Sequence, residues 1–266
     1  MTLIDLPTDT ARQRLYTHVA AACSKLSLSR VHALLDLSFA DDARRQALAQ
    51  LAPEPSTLYR DLYAGEGLDS IDPWLIEVPL EPADRFLALC EHCAGQPMLS
   101  FLVSPASHGD LLTHLRGQLE AKDDAGDTFI LRWADTRCLP SMYAILDETQ
   151  RTRLCSGISA WWYMSRDGEP ASLEMPSAAA PSRHDTAFPY QLTATQIQAV
   201  RTSARPDWWL AYIADRPHLY GALTGNASRH HAVTYAAIGS VPNDATDAHV
   251  LRSVVQSLAD QGLLQP

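Results

Sequence analysis

Residues Met98 to Met164 read MLSFLVSPASHGDLLTHLRGQLEAKDDAGDTFILRWADTRCLPSMYAILDETQRTRLCSGISAWWYM, and their alternation of element types decides the fold class. Met98 to Val103 is a short apolar run of a length that suits a strand covered on both faces. Ser104-Pro105 halts it. Ser107, with Asp110 three residues on, caps a helix whose Leu111, Leu112, Leu115 and Leu119 form one buried stripe. That leaves His114 and Arg116 for the wetter side. Asp123-Asp124-Ala125-Gly126-Asp127 is a turn by composition, and Thr128 to Trp133 a strand rich in β-branched and aromatic residues. Asp147 with Gln150 caps the next helix, Gly157 suits its left-handed end, and Ile158 to Met164 makes a third strand.

Outward from this stretch the same alternation continues. Residues 8–22 predict a helix capped by Thr8 or Asp9, Arg30 to Phe39 a strand, and Asp41-Asp42 the start of a helix to Leu51. Trp74 to Val78 predicts a strand, and Pro82 opens a helix through Cys93 that Gly95 closes. Asp167-Gly168 turns the chain so that Ala171 to Met175 pairs back as a hairpin. The small residues of Pro176 to Pro181 read as a domain boundary. Beyond it, Thr193 with Gln196 starts a helix to about Ser203, Arg205 to Gly221 reads as a second and Ala248 to Gly262 as a third. The expectation is an α/β domain over 1–180, a layered mixed sheet, partly parallel, with flanking helices, then a small helical lobe over 181–266.

Composition narrows the function classes. The net charge is −10, while residues 181–266 hold six basic and six acidic residues, so the excess acid lies entirely in residues 1–180. That field repels a polyanion and argues against a nucleic-acid partner. No apolar run approaches the roughly 18 residues needed to span a bilayer, and MTLIDLPTDTARQRL lacks the basic and apolar regions of a secretory signal. A cytoplasmic protein with no membrane partner is expected. Five cysteines, an odd and scattered number, suit a reducing compartment.

The search for chemistry returns little. Cys90-x-x-Cys93 falls late in a predicted helix, whereas a redox pair needs its first thiol at a helix N-terminus, and two further zinc ligands are missing at compact spacing. Gly157-Ile-Ser159-Ala lacks the closing glycine of a nucleophile elbow. His230-His231 has no neighbouring carboxylate and reads as surface rather than metal site. Arg132, Asp135 and Arg137 group at a strand end, where Asp135 fixes a strand-to-helix corner. No enzyme, no metal and no cofactor are expected; a small hydrolase or thiol-redox enzyme using Cys90, Cys93 or Ser159 is the alternative.

Six segments in order resemble a known family. His32-Ala-Leu-Leu-Asp36 is similar to an opening "YALLD" strand, and Leu58-Tyr59 with Pro73-Trp-Leu-Ile-Glu-Val78 to a segment ending in "PYLVxL". Leu99 to Ser104 resembles "SWGIFLxS", Leu112-Thr-His-Leu-Arg116 "LRRHLR", Thr128 to Leu139 "YFRFYDPRVL", and Leu192 to Gln196 "LTxxQ". Together they resemble the adaptor, or effector chaperone, family of bacterial type VI secretion systems. Two departures stand out: Gly95-Gln-Pro97 replaces a Gly-Trp-Gly, and Ala134-Asp135-Thr136-Arg137 replaces Tyr-Asp-Pro-Arg. The resemblance implies a non-catalytic carrier that binds a cognate effector toxin and delivers it to the VgrG spike protein. An immunity protein that masks a toxin is a further alternative. The aromatic tail (Phe188, Tyr190, Trp208, Trp209, Tyr212, Tyr220) would supply anchors for a partner, and His114 and Arg116, on the wetter face of their helix, are further partner-binding candidates.

Overall fold

A computed structural model of the chain describes residues 2–52, 54–176, 189–242 and 244–265. In chain order they form α1 (Asp9–Lys25), β1 (Arg30–Leu35), α2 (Asp42–Leu51), β2 (Ser56–Thr57), α3 (Leu68–Ile71), β3 (Trp74–Pro79), α4 (Asp84–His92) and β4 (Leu99–Val103). Then follow α5 (His108–Arg116), β5 (Glu120–Lys122), β6 (Thr128–Ile130), α6 (Cys138–Ile145), α7 (Glu148–Leu154), β7 (Ala160–Met164), β8 (Pro170–Ser172) and β9 (Tyr190–Gln191). The C-terminal part consists of α8 (Ala194–Ala214), α9 (Pro217–Tyr220), β10 (Ala222–Leu223), α10 (Ala227–Gly239), α11 (Asp247–Asp260) and β11 (Leu264–Gln265). The class is α/β, with sheets flanked by helices and a helical C-terminal region.

The main sheet runs β2-β3-β1-β4-β7-β8. Every neighbouring pair in it is antiparallel, where a partly parallel sheet was expected. One connection shows part of the reason. β3 and β4 are joined through α4 and run the same way, as a strand–helix–strand unit should, but β1 is inserted between them and runs against both. The parallel pair that does occur, β5 with β9, lies in a separate three-stranded sheet ordered β6-β5-β9.

Near-continuous apolar strands in an antiparallel sheet need cover on both faces, and this sheet has it. Val31, Ala33 and Leu35 of β1 face a layer built from α1, α2 and α4, together with Leu99, Phe101 and Val103 of β4. The alternate residues Leu34, Leu75, Leu102, Trp161 and Tyr163 face the opposite layer of α5, α6 and the segment around Trp133. Phe86 and Phe101 are fully buried and stack at 4.0 Å, tying α4 to the sheet centre. Fully burying such side chains is worth about 2–3 kcal/mol each before packing terms.

Caps mark the expected boundaries. Thr8, Asp41, Ser107, Asp147 and Thr193 each accept a backbone N–H, and Asp147 and Thr193 close full capping boxes with Gln150 and Gln196. Gly95 turns at φ +75°, its carbonyl accepting from Leu3 and Ile4, and an added Cβ would meet the Thr2 side chain at 2.9 Å. Other boundaries differ. The strand expected over Arg30 to Phe39 ends at Leu35, because Asp36 accepts from the Ser38 amide at 3.0 Å and starts a tight turn over Leu37–Phe39. The strand expected over Thr128 to Trp133 stops at Ile130.

The tail departs further. The two helices expected either side of Ser203 are one continuous α8, with Pro206 inside it. Proline removes one helical hydrogen bond at a cost of about 3 kcal/mol. Burial of Pro206, Trp209, Leu210 and Ile213 along one stripe offsets that loss. α10 has no counterpart among the expected elements; it packs between α8 and α11 around Ala237, Val250, Val254 and Leu258. Of the boundary expected at Pro176 to Pro181, residues 177–181 lie outside the described residues, as does Phe188. Where description resumes, Tyr190, Leu192 and Ile197 pack into the core of the first region beside Leu115, Trp133 and Tyr143.

Candidate functional site

The corner expected around Asp135 is a chain of alternating charges. Asp135, fully buried, accepts from the Arg137 amide at 3.0 Å and from its guanidinium at 3.2 and 2.9 Å. Arg132 reaches Asp36 and Ser38, both at 2.7 Å, and lies 3.8 Å from Asp135. The two guanidiniums lie 5.3 and 4.9 Å from the Phe39 ring centre. Arg137 also comes within 3.9 Å of Asp207 on α8, which Arg166 holds with two bonds at 2.9 and 2.6 Å. Burial alone would weaken the charge on Arg132 and Arg137, but Asp36 beside the first and Asp135 beside the second raise their pKa above the ordinary arginine value. The network joins the turn after β1, the corner, the end of β7 and α8. Such buried pairs position elements more than they stabilise them.

The expected partner-binding residues divide. His114 donates from Nε2 to the Leu154 carbonyl at 2.8 Å, and Arg116 donates to the Thr57 carbonyl at 3.2 and 2.8 Å, so both are occupied in holding neighbouring segments. Trp209 is buried in the core of the C-terminal region. Trp208, one residue earlier, is 55 % exposed. It meets Trp209 edge-on at 4.5 Å and stacks on Tyr212 at 5.7 Å. Tyr212 continues the cluster to Tyr220 at 6.1 Å, with the Arg216 guanidinium 3.9 Å from its ring centre. Leu219 is exposed beside them on α9. An apolar ledge with polar edges results, its rear wall fixed in the core and its front open.

The nucleophile candidates look different in place. Cys90 and Cys93 are buried at the end of α4, and burial pushes the Cys90 thiol up to about 12 and raises Cys93 further. A thiol so disposed is a weak nucleophile. Ser159 sits in an exposed bend, its amide bonded to the Val103 carbonyl at 2.8 Å. His230, expected at the surface, is buried in α10, with Nε2 2.7 Å from the Thr224 carbonyl. Successive residues on a helix point about 100° apart, so His230 and His231 do not face one ion.

A polar concavity that the sequence did not reveal lies near the β2–β3 edge of the sheet. Glu77 on β3 and His108 at the start of α5 line it with Ser56 and Arg85, and the buried His32 on β1 completes a cluster with the first two. Burial pushes His32 down to about 4, and the neighbouring His108 adds to the shift. The three positions are 45 and 31 residues apart, so no local spacing could have announced them.

Residues 31–153 match the model of a family described as Domain of unknown function (DUF4123). No curated protein and no solved structure matches the chain. The DUF4123 match runs from β1 into α7 and includes Asp36, Arg132, Asp135 and Arg137, together with His32, Glu77 and His108. Trp208, Tyr212 and Tyr220 lie beyond it. Among the described residues, no helix is long and apolar enough to cross a membrane.

Proposed function

We propose that this chain is a non-catalytic adaptor that acts in the cytoplasm, binds a toxin of a bacterial type VI secretion system and delivers it to the VgrG spike. The DUF4123 match over residues 31–153 carries the proposal. It covers five of the six ordered segments that resemble the adaptors of that system. Two features of the molecule support it. The cysteine pair is buried with raised thiols, which disfavours redox chemistry at that motif. The ledge of Trp208, Tyr212 and Tyr220 offers large aromatic area at low conformational cost, the kind of anchor an interface uses. The adaptor would present that ledge to the toxin, while the corner network holds α8 in register with the sheet.

Co-expression with the products of the neighbouring genes, a toxin among them on this reading, tests it. An adaptor forms a stable complex, raises the soluble yield of the toxin and leaves the toxin active after release. Neutralisation of the toxin would identify an immunity protein instead. Absence of a complex with both the toxin and the spike, or turnover by the chain alone, would overturn the proposal.

A further inference from the structure

His32 and Glu77 are direct cross-strand partners in the β1–β3 ladder, on the face that carries Leu34 and Leu75. The His108 ring lies over His32 with centroids 5.5 Å apart. One ligand atom from each of the three residues can be chosen so that all lie within 4.8 Å of one another. Their hydrogen bonding is uneven in a telling way. His32 is 3 % exposed, yet neither ring nitrogen has a hydrogen-bond partner; Nε2 stands 3.6 Å from Glu77 Oε1. His108 bonds Ser56 Oγ through Nε2 at 2.8 Å, while its Nδ1 is buried and unpartnered. Arg30 holds the other carboxylate oxygen of Glu77 at 3.0 Å. Arg30 and Ser56 thus hold one side of Glu77 and of His108, while both nitrogens of His32 and Nδ1 of His108 are left unsatisfied. Buried polar atoms without partners are rare and call for an ion or a water.

We infer that His32, Glu77 and His108 form a binding site for a divalent first-row transition metal, zinc above the others. Two imidazoles and one carboxylate are a donor set that zinc accepts, leaving a fourth position for an outside ligand. Tetrahedral zinc with bonds of about 2.0 Å places donors roughly 3.3 Å apart. The 4.8 Å spread closes by rotation of Glu77 and His108, the two partly exposed members. Ser56 and Arg30 then serve as the outer partners that orient a metal-bound histidine and carboxylate. The fourth position opens into a concavity of about 350 Å³ lined by Glu54, Ser56 and Arg85. Arg85, whose Nε is buried without a partner, favours an anionic group there. The site stands independently of the adaptor reading and of the aromatic ledge.

The test uses the full chain without an affinity tag, stripped with a chelator and titrated with Zn²⁺ against a chromophoric competitor. One equivalent should bind and raise the melting temperature. Glu77→Gln and His108→Ala should each weaken binding by ~10–100-fold or more, since even outer partners of a metal ligand contribute that much. Both positions are partly exposed, and unchanged far-UV circular dichroism would show that the variants fold. Co²⁺ in place of Zn²⁺ should give visible absorption of four-coordinate geometry, lost in both variants. No binding above that of an unrelated protein would overturn the site. Binding that neither substitution weakens would place the ion elsewhere and overturn it equally.

Discussion

The sheet region and the C-terminal helices use the same residue types in opposite ways. In the first, Trp133, Trp161, Phe86 and Phe101 are all within 2 % of complete burial, and the sheet is covered on both faces. In the second, the core is mainly aliphatic (Val250, Val254, Leu258, Ile213), with Trp209 the aromatic at its centre. Trp208, Leu219 and Tyr235 stand largely exposed. A side chain buried in a close-packed interior is committed to the fold, whereas an exposed aromatic beside a fixed one is available to a partner. The match to DUF4123 stops in α7, at residue 153, and leaves out β7 and β8 of the sheet as well as the C-terminal helices.

Substitutions that break this contrast should have graded effects. Phe101→Ala removes the stack on Phe86 at the sheet centre and should cost about 3–5 kcal/mol, read as a lower urea midpoint. Asp135→Asn leaves Arg137 without its buried carboxylate and should cost about 3 kcal/mol in the same assay. Asp207→Asn acts where the regions join. It loosens the Arg166 pair and should cost about 1 kcal/mol, with faster hydrogen exchange in α8 than in the sheet.

Acid should act on the sheet region. Burial lowers the pKa of His114, with Arg153 adding to the shift and the bond to Leu154 opposing it. The folded state therefore holds His114 neutral where the unfolded chain binds a proton, so stability is full above the ordinary histidine value of about 6.5 and declines as pH falls below it. His32, pushed down further, and His231 act in the same sense, so melting temperatures across that range should show the decline and His114→Gln should make it shallower without abolishing it.

How much of this was legible depends on whether the cause was local. Caps at Thr8, Asp41, Ser107, Asp147 and Thr193 are read from four or five residues, and each stands where the sequence placed it. The Asp135 corner was visible as a cluster, but its partners Asp36 and Asp207 were not, being 99 and 72 residues away in the chain. Strand direction failed for the same reason. Alternating strands and helices imply parallel neighbours only when nothing is inserted between them, and β1 is inserted between β3 and β4. Pro206 misled because its local cost is outweighed by tertiary burial that periodicity does not measure. In the aromatic tail, Trp208 and Trp209 are adjacent and chemically equal; only the packing of α8 on α10 and α11 decides which of them faces out.

That last distinction gives the decisive measurement. Trp208→Ala should cost no more than about 1 kcal/mol of stability, because more than half of the side chain is in water and only its ring contacts with Trp209 and Tyr212 are lost. In calorimetric titration against the cognate toxin, the same variant should lose about 2 kcal/mol of affinity, roughly a thirtyfold rise in Kd. A toxin bound by Trp208→Ala as tightly as by the wild type, at an equal melting temperature, would contradict a carrier whose cargo is anchored on this ledge.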